Sequence, residues 1–156
     1  MAVSEKLYWE DIEVGKTIAL GEKRVEKDEI IAFAQEFDPQ PFHLDEQAAK
    51  DTMIGELIAS GWHTNVMLMR MLYDSLLKDC ASLGSGGLEE VKWPEAVRPG
   101  DVIRGTYTCL ESRASKSRPD VGICKVVCEV INQDDLVVMS CRLSHFFRRR
   151  NGERQQ

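Results

Sequence analysis

The sequence predicts an α+β domain in which an antiparallel sheet curves around one long helix, and three features lead to it. A single long helical pattern, Trp62 to about Ser82, is apolar almost all round and so calls for a sheet wrapped about it. Four strand-like stretches then follow with no helical pattern between them. The strict alternation of strands and helices that a doubly wound parallel sheet requires is missing.

The elements run in order from the N-terminal side. Lys16 to Val25 carries Ile18 and Leu20 and then charged residues around Gly21, which suits a short strand with a bend or bulge at the glycine. Asp28 to Phe37 places Ile30, Phe33, Ala34 and Phe37 on one helical stripe, with acids in the first turn. Pro39 biases Asp38 away from helical geometry and Pro41 repeats the block, so Asp38 to His43 is expected to be a stiff, extended loop. Asp45 to Asp51 suggests a short helix, and Met53 to Ala59 a loop or extended passage. Gly84-Ser85-Gly86-Gly87 is expected to break the long helix. Strands are then predicted at Leu88–Trp93, Val102–Ser112, Gly122–Asn132 and Leu136–Arg148. Pro99-Gly100-Asp101 and Asn132-Gln133-Asp134-Asp135 mark turns, the second closing a hairpin. No repeat or linker divides the chain, so residues 1–148 form one domain and the tail 149–156 is expected to fray.

The bulk composition narrows the function classes. A chain of 156 residues with 43% hydrophobic and 29% charged residues is one ordinary globular domain. Its net charge of −6 disfavours long-range attraction to nucleic acid or to an anionic membrane. Arg148, Arg149 and Arg150 on so acidic a chain read as a strand ending in solvent. The five cysteines have no tight metal-ligand pairing, and their odd number suits free thiols in a reducing compartment. Cys124 and Cys128, four apart in a predicted strand, are expected to face one side of it as core packing. No basic and apolar leader opens the chain and no apolar run approaches a membrane span. The expected location is cytoplasmic, or an organelle matrix reached with a targeting segment no longer present.

Few side chains are candidates for chemistry. His43 lies five residues after Asp38 on the stiff loop, where a carboxylate and an imidazole can meet around one water as a general acid/base pair. The same spacing also suits a structural loop in which Asp38 caps backbone amides and His43 packs on Phe42. His63, at the start of the long helix, suits a packing or rim position, and its pKa is expected to be lowered by the helix dipole. His145 alternates with Leu143 and Phe147 and suits core or interface. Ser60-Gly61 opens the long helix, so backbone N–H groups at its positive end can hold an oxyanion, or the glycine can simply permit close packing. Ser60 sits in no nucleophile elbow. No zinc, dinucleotide or P-loop motif occurs, so neither a metal nor a cofactor is called for.

The stretches Phe33 to Ala49 and Leu57 to Thr64 resemble the MaoC-like acyl dehydratases, including the (R)-specific enoyl-CoA hydratases, and Val97-Arg98-Pro99-Gly100-Asp101 is similar to a turn such proteins carry. Asp38, Pro41 and His43 match the hydratase motif in order, while Phe37 stands in place of its glycine and Gln40 in place of its asparagine. The resemblance implies a hot-dog fold, with the long helix inside the sheet, and a homodimer or higher oligomer with the acyl-thioester channel between subunits. It implies that Asp38 and His43 activate one water and that Ser60 and Gly61 bind substrate, the Gly61 N–H meeting the carbonyl of an acyl-CoA or acyl carrier protein thioester. Arg98, Arg113, Lys116 and Arg118 are candidates for contacting coenzyme A phosphates, or ordinary surface charges. A hot-dog thioesterase and a non-catalytic acyl-thioester-binding protein are the rivals on the same scaffold.

Overall fold

A computed structural model describes residues 5–151. The elements are β1 (Thr17–Arg24), α1 (Lys27–Phe37), α2 (Glu46–Ala49), α3 (Gly61–Ser75), β2 (Ser82–Lys92), β3 (Val102–Ala114), β4 (Val121–Ile131) and β5 (Val137–Arg148). The five strands form one antiparallel sheet in the order β1-β3-β4-β5-β2. With α3 packed on its inner side this is the hot-dog architecture, an α+β single domain.

Side-chain alternation explains how the sheet holds the helix. Cys124, Val126, Cys128 and Val130 of β4 face inward and are fully buried, while the residues between them face outward. Met67, Leu68, Met71 and Leu72 of α3 pack into the same core. Gly105 on β3 matters here, because a Cβ at that position would stand 3.3 Å from both Leu20 and Leu68. Its absence lets β1, β3 and α3 close on one another. Each such apolar side chain, fully buried, stabilises the fold by about 1.5–3 kcal/mol.

β1 bends where expected: its pairing with β3 shifts register between Ala19 and Glu22, and Gly21 takes a φ of +80°. Three expectations need correction. The long helix ends at Ser75 instead of about Ser82, because the chain from Leu76 is drawn into other hydrogen bonds. Leu7 N–H donates to Asp79 O and Ala81 N–H to Leu7 O, at 2.8 and 2.7 Å, while Leu76 and Cys80 turn into the core. That helix is also buried on one face only. Trp62, Val66, Met69 and Tyr73, at helical spacing, are each at least half exposed on the other. Gly84 to Gly87, expected as a break, lies inside β2, where Gly84 and Gly87 adopt φ of +92° and +145° at register shifts against β5.

The C-terminal tail also differs from expectation at its start. Arg149 N–H donates to Asp120 O and Arg150 pairs with Asp11, while their guanidinium groups lie over the Trp9 and Tyr8 rings. Residues 152–156 lie outside those described. All five cysteines are free and buried, with Cys124 and Cys128 on the same side of β4 as expected. Among the described residues no helix is long and apolar enough to cross a membrane.

His145 belongs to the core. Its Nε2 is 3.0 Å from Ser82 Oγ and its Nδ1 3.2 Å from the buried Tyr107 hydroxyl. Burial pushes its pKa from 6.5 to about 4. Between those values the unfolded chain binds more protons than the folded one. The stability it contributes is therefore complete above about pH 6.5 and is lost as pH falls toward 4, by at most about 3 kcal/mol. Urea titrations at pH 7 and pH 5 are expected to differ more for the wild type than for His145→Gln. Equal pH dependence in the two proteins would contradict this assignment.

Candidate functional site

The local chemistry of the chain holds Asp38 and His43 together. α1 ends at Asp38, whose N–H still donates to Ala34 O at 3.0 Å but whose φ of −150° and ψ of 69° have left the helix ahead of Pro39. The loop, expected to be extended, is not so throughout. Pro41 starts a single 3-10 turn through His43, closed by His43 N–H to Gln40 O at 3.0 Å and followed by Asp45 N–H to Pro41 O at 3.0 Å. Asp45 then caps the short α2 through Ala48 N–H. The turn swings the His43 ring back toward Asp38 and buries it.

Three hydrogen bonds fix the pair. His43 Nδ1 is 2.7 Å from Ile58 O, and since a carbonyl only accepts, Nδ1 carries the hydrogen. In the neutral ring Nε2 is then a lone-pair site, and it faces Asp38 Oδ2 at 3.4 Å. Ser60 Oγ donates to Asp38 Oδ2 at 2.6 Å, and Gln40 Nε2 donates to Oδ1 at 2.7 Å. The Ser60 bond above all, with help from Gln40 and His43 and against the opposing effect of burial, holds the Asp38 carboxyl below the usual carboxylate range. It is ionised at any pH near neutral.

A water seated against both Oδ2 and Nε2 would find two acceptors and would point both hydrogens toward them. Its lone pairs would then face outward, toward whatever electrophile is bound. The structure thus brings three of the four predicted site residues together: Ser60 is hydrogen-bonded to Asp38, and His43 Nε2 lies 3.4 Å from the same carboxylate oxygen. The Ser60 hydroxyl turns to Asp38 and not to open space. Gly61, the fourth, opens α3 next to it, with its N–H among the first-turn donors that a helix cannot satisfy internally.

Beside His43 lies a cavity of about 230 Å³ whose walls include Ile58, Gly61, Thr64, Trp93 and Val138. Its floor is fixed by the backbone, since Ala59 N–H donates to Val97 O at 2.8 Å. Trp93 lies against Gly61: a Cβ there would be 2.6 Å from the indole Cε2. His63 points elsewhere, buried and stacked on Phe33 at 4.8 Å, its Nδ1 without a hydrogen-bond partner among the described residues. Its pKa is lowered, but chiefly by burial. Of the candidate phosphate contacts, Arg98 pairs with Glu56 and Arg118 with Asp120. Sequence reasoning missed Ile58 and Trp93. A backbone carbonyl leaves no mark on side-chain spacing, and Trp93 approaches Gly61 from a strand end 32 residues further along.

Comparison with known proteins agrees with the architecture. The family model described as "MaoC like domain" matches residues 11–130. The crystal structure of a MaoC-like dehydratase from Rhodospirillum rubrum superposes with a TM-score of 0.84 at 43% identity, over 92% of this chain and 98% of that one. A 3-hydroxybutyryl-CoA dehydratase from Methylorubrum extorquens is 29% identical over 134 residues, 85% of this chain and 83% of that protein. The uncharacterized protein YdeM of Bacillus subtilis is 24% identical over 140 residues, 90% of this chain and 98% of its own length.

Proposed function

Because the chain belongs to the MaoC-like dehydratase family, we propose that it reversibly hydrates a trans-2-enoyl thioester, using one water held between Asp38 and His43. The observation that carries this reading is the 3.4 Å approach of His43 Nε2 to an ionised Asp38 carboxylate, with Nδ1 committed to Ile58 O. The water oxygen bonds to the β carbon as one O–H bond breaks, and that proton is taken up by the pair and returned to the α carbon. The elements of one water are thereby added and the thioester stays intact. Charge that develops on the thioester oxygen would be met by the Gly61 N–H at the positive end of α3, where a fixed donor is most effective. Dehydration is the same path reversed.

The acyl carrier is coenzyme A or an acyl carrier protein. The Methylorubrum extorquens relative, a 3-hydroxybutyryl-CoA dehydratase, favours coenzyme A. The half-exposed stripe Trp62, Val66, Met69 and Tyr73 on α3, and the position of β2 at the edge of the sheet, suit burial against a second copy of this chain. A homodimer would then enclose the site mouth.

Hydration and hydrolysis part company in a simple assay. Mixing the protein with trans-2-enoyl-CoAs is expected to remove the conjugated-alkene absorbance without releasing free thiol. Thiol release from the same esters would instead identify a thioesterase. Tight binding with neither change would identify a non-catalytic acyl-thioester-binding protein.

A further inference from the structure

The cavity beside His43 has one wall that the water-activating pair and the helix terminus leave without a role. Trp93 immediately follows β2 and precedes Pro94, so the chain there can neither continue the strand nor swing freely. Its indole lies flat on the first turn of α3: a Cβ on Gly61 would meet three of its ring atoms at 2.6 to 2.9 Å. The ring is held there by Nε1–H donating to Asn65 Oδ1 at 3.2 Å and by an edge contact with Trp62, centroids 5.6 Å apart at 71°.

We infer that Trp93 is the specificity-determining residue that limits the acyl group to a short chain. This role rests on the hydratase reading of the Asp38/His43 site. A thioester whose carbonyl meets the Gly61 N–H must carry its acyl tail past the indole, because the indole covers that same helix start. The walls facing it are fixed: Ala59, Val97 and Val138 are buried, and the first two are joined by a backbone hydrogen bond. Trp93 is 42% exposed, so it can be cut back without opening the core. A cavity of about 230 Å³ is below the roughly 300–1,000 Å³ of pockets that enclose larger ligands. With the indole in place, a four-carbon acyl group is expected to be taken in preference to an eight-carbon one.

The test compares wild type, Trp93→Leu and Trp93→Ala with two readouts: kcat/KM for hydrating crotonyl-CoA and trans-2-octenoyl-CoA, and calorimetric affinity for the unreactive butyryl-CoA and octanoyl-CoA. The wild type is expected to favour the four-carbon ester at least tenfold in both. Each variant is expected to shift both ratios toward eight carbons, by at least tenfold for Trp93→Ala and less for Trp93→Leu. If both ratios stay within twofold of wild type in a folded variant, or if the wild type already prefers eight carbons, the inference is overturned. If the affinity ratio shifts as expected while no enoyl-CoA is hydrated, the hydratase reading falls and Trp93 remains the gauge. If no acyl-CoA binds the wild type, both fall.

Discussion

Asp38→Asn is expected to lower kcat/KM for enoyl-thioester hydration by about 100- to 10,000-fold, the range typical for loss of a positioned acid/base group. The substitution keeps the side chain's shape and can still accept the Ser60 O–H, so its main effect is to remove the charge and the proton-accepting oxygen next to His43 Nε2. The pH dependence follows from the same contacts. Because Ser60 and Gln40 hold the Asp38 carboxyl below 3.8, Asp38 stays ionised down to strongly acidic pH. Stability gained from that ionised form is present above about 3.8 and is lost as pH falls further. An acid limb of activity near neutral pH would therefore have to come from another group. A folded Asp38→Asn protein that turns over within tenfold of wild type would remove Asp38 from the chemistry.

Gly61→Ala is expected to lower kcat/KM by about 100- to 1,000-fold, comparable with removing an oxyanion donor. The added methyl would stand 2.6 Å from Trp93 Cε2, so either the indole or the first turn of α3 must move. A shift of the helix start carries the Gly61 N–H away from the thioester oxygen. Tryptophan fluorescence reports the displaced indole independently of activity, and thermal unfolding reports any cost to the fold. Unchanged fluorescence with full activity would mean that the methyl is accommodated and that the Gly61 N–H has no catalytic part.

What can be read from the sequence follows from how local the causes are. The end of α1 at Asp38 and the bulge at Gly21 both arise from residues adjacent in the chain, so proline, glycine and apolar spacing reveal them. The limits of α3 are not local, because Leu7 competes for the backbone of residues 79–81 from more than 70 positions away. Nor is its exposed face: Trp62, Val66, Met69 and Tyr73 are apolar and so look buried on a helical stripe, whether or not the same chain covers them. In β2 the glycines mislead because a run of them is compatible with a break and with a bulged edge strand alike. At the site, Asp38, His43, Ser60 and Gly61 all stand out in the sequence. Resemblance places Ser60 with Gly61 among the substrate-binding residues; that the Ser60 hydroxyl donates to Asp38 is a pairing across 22 residues that spacing does not encode.

The most direct test of the central claim follows crotonyl-CoA by alkene absorbance and by thiol release together, with wild type and Asp38→Asn side by side. The expected result is loss of the alkene with no thiol released by the wild type, and no loss beyond background in the variant. Equal rates in the two proteins, or thiol released in step with the wild-type reaction, would contradict water activation by Asp38 and His43.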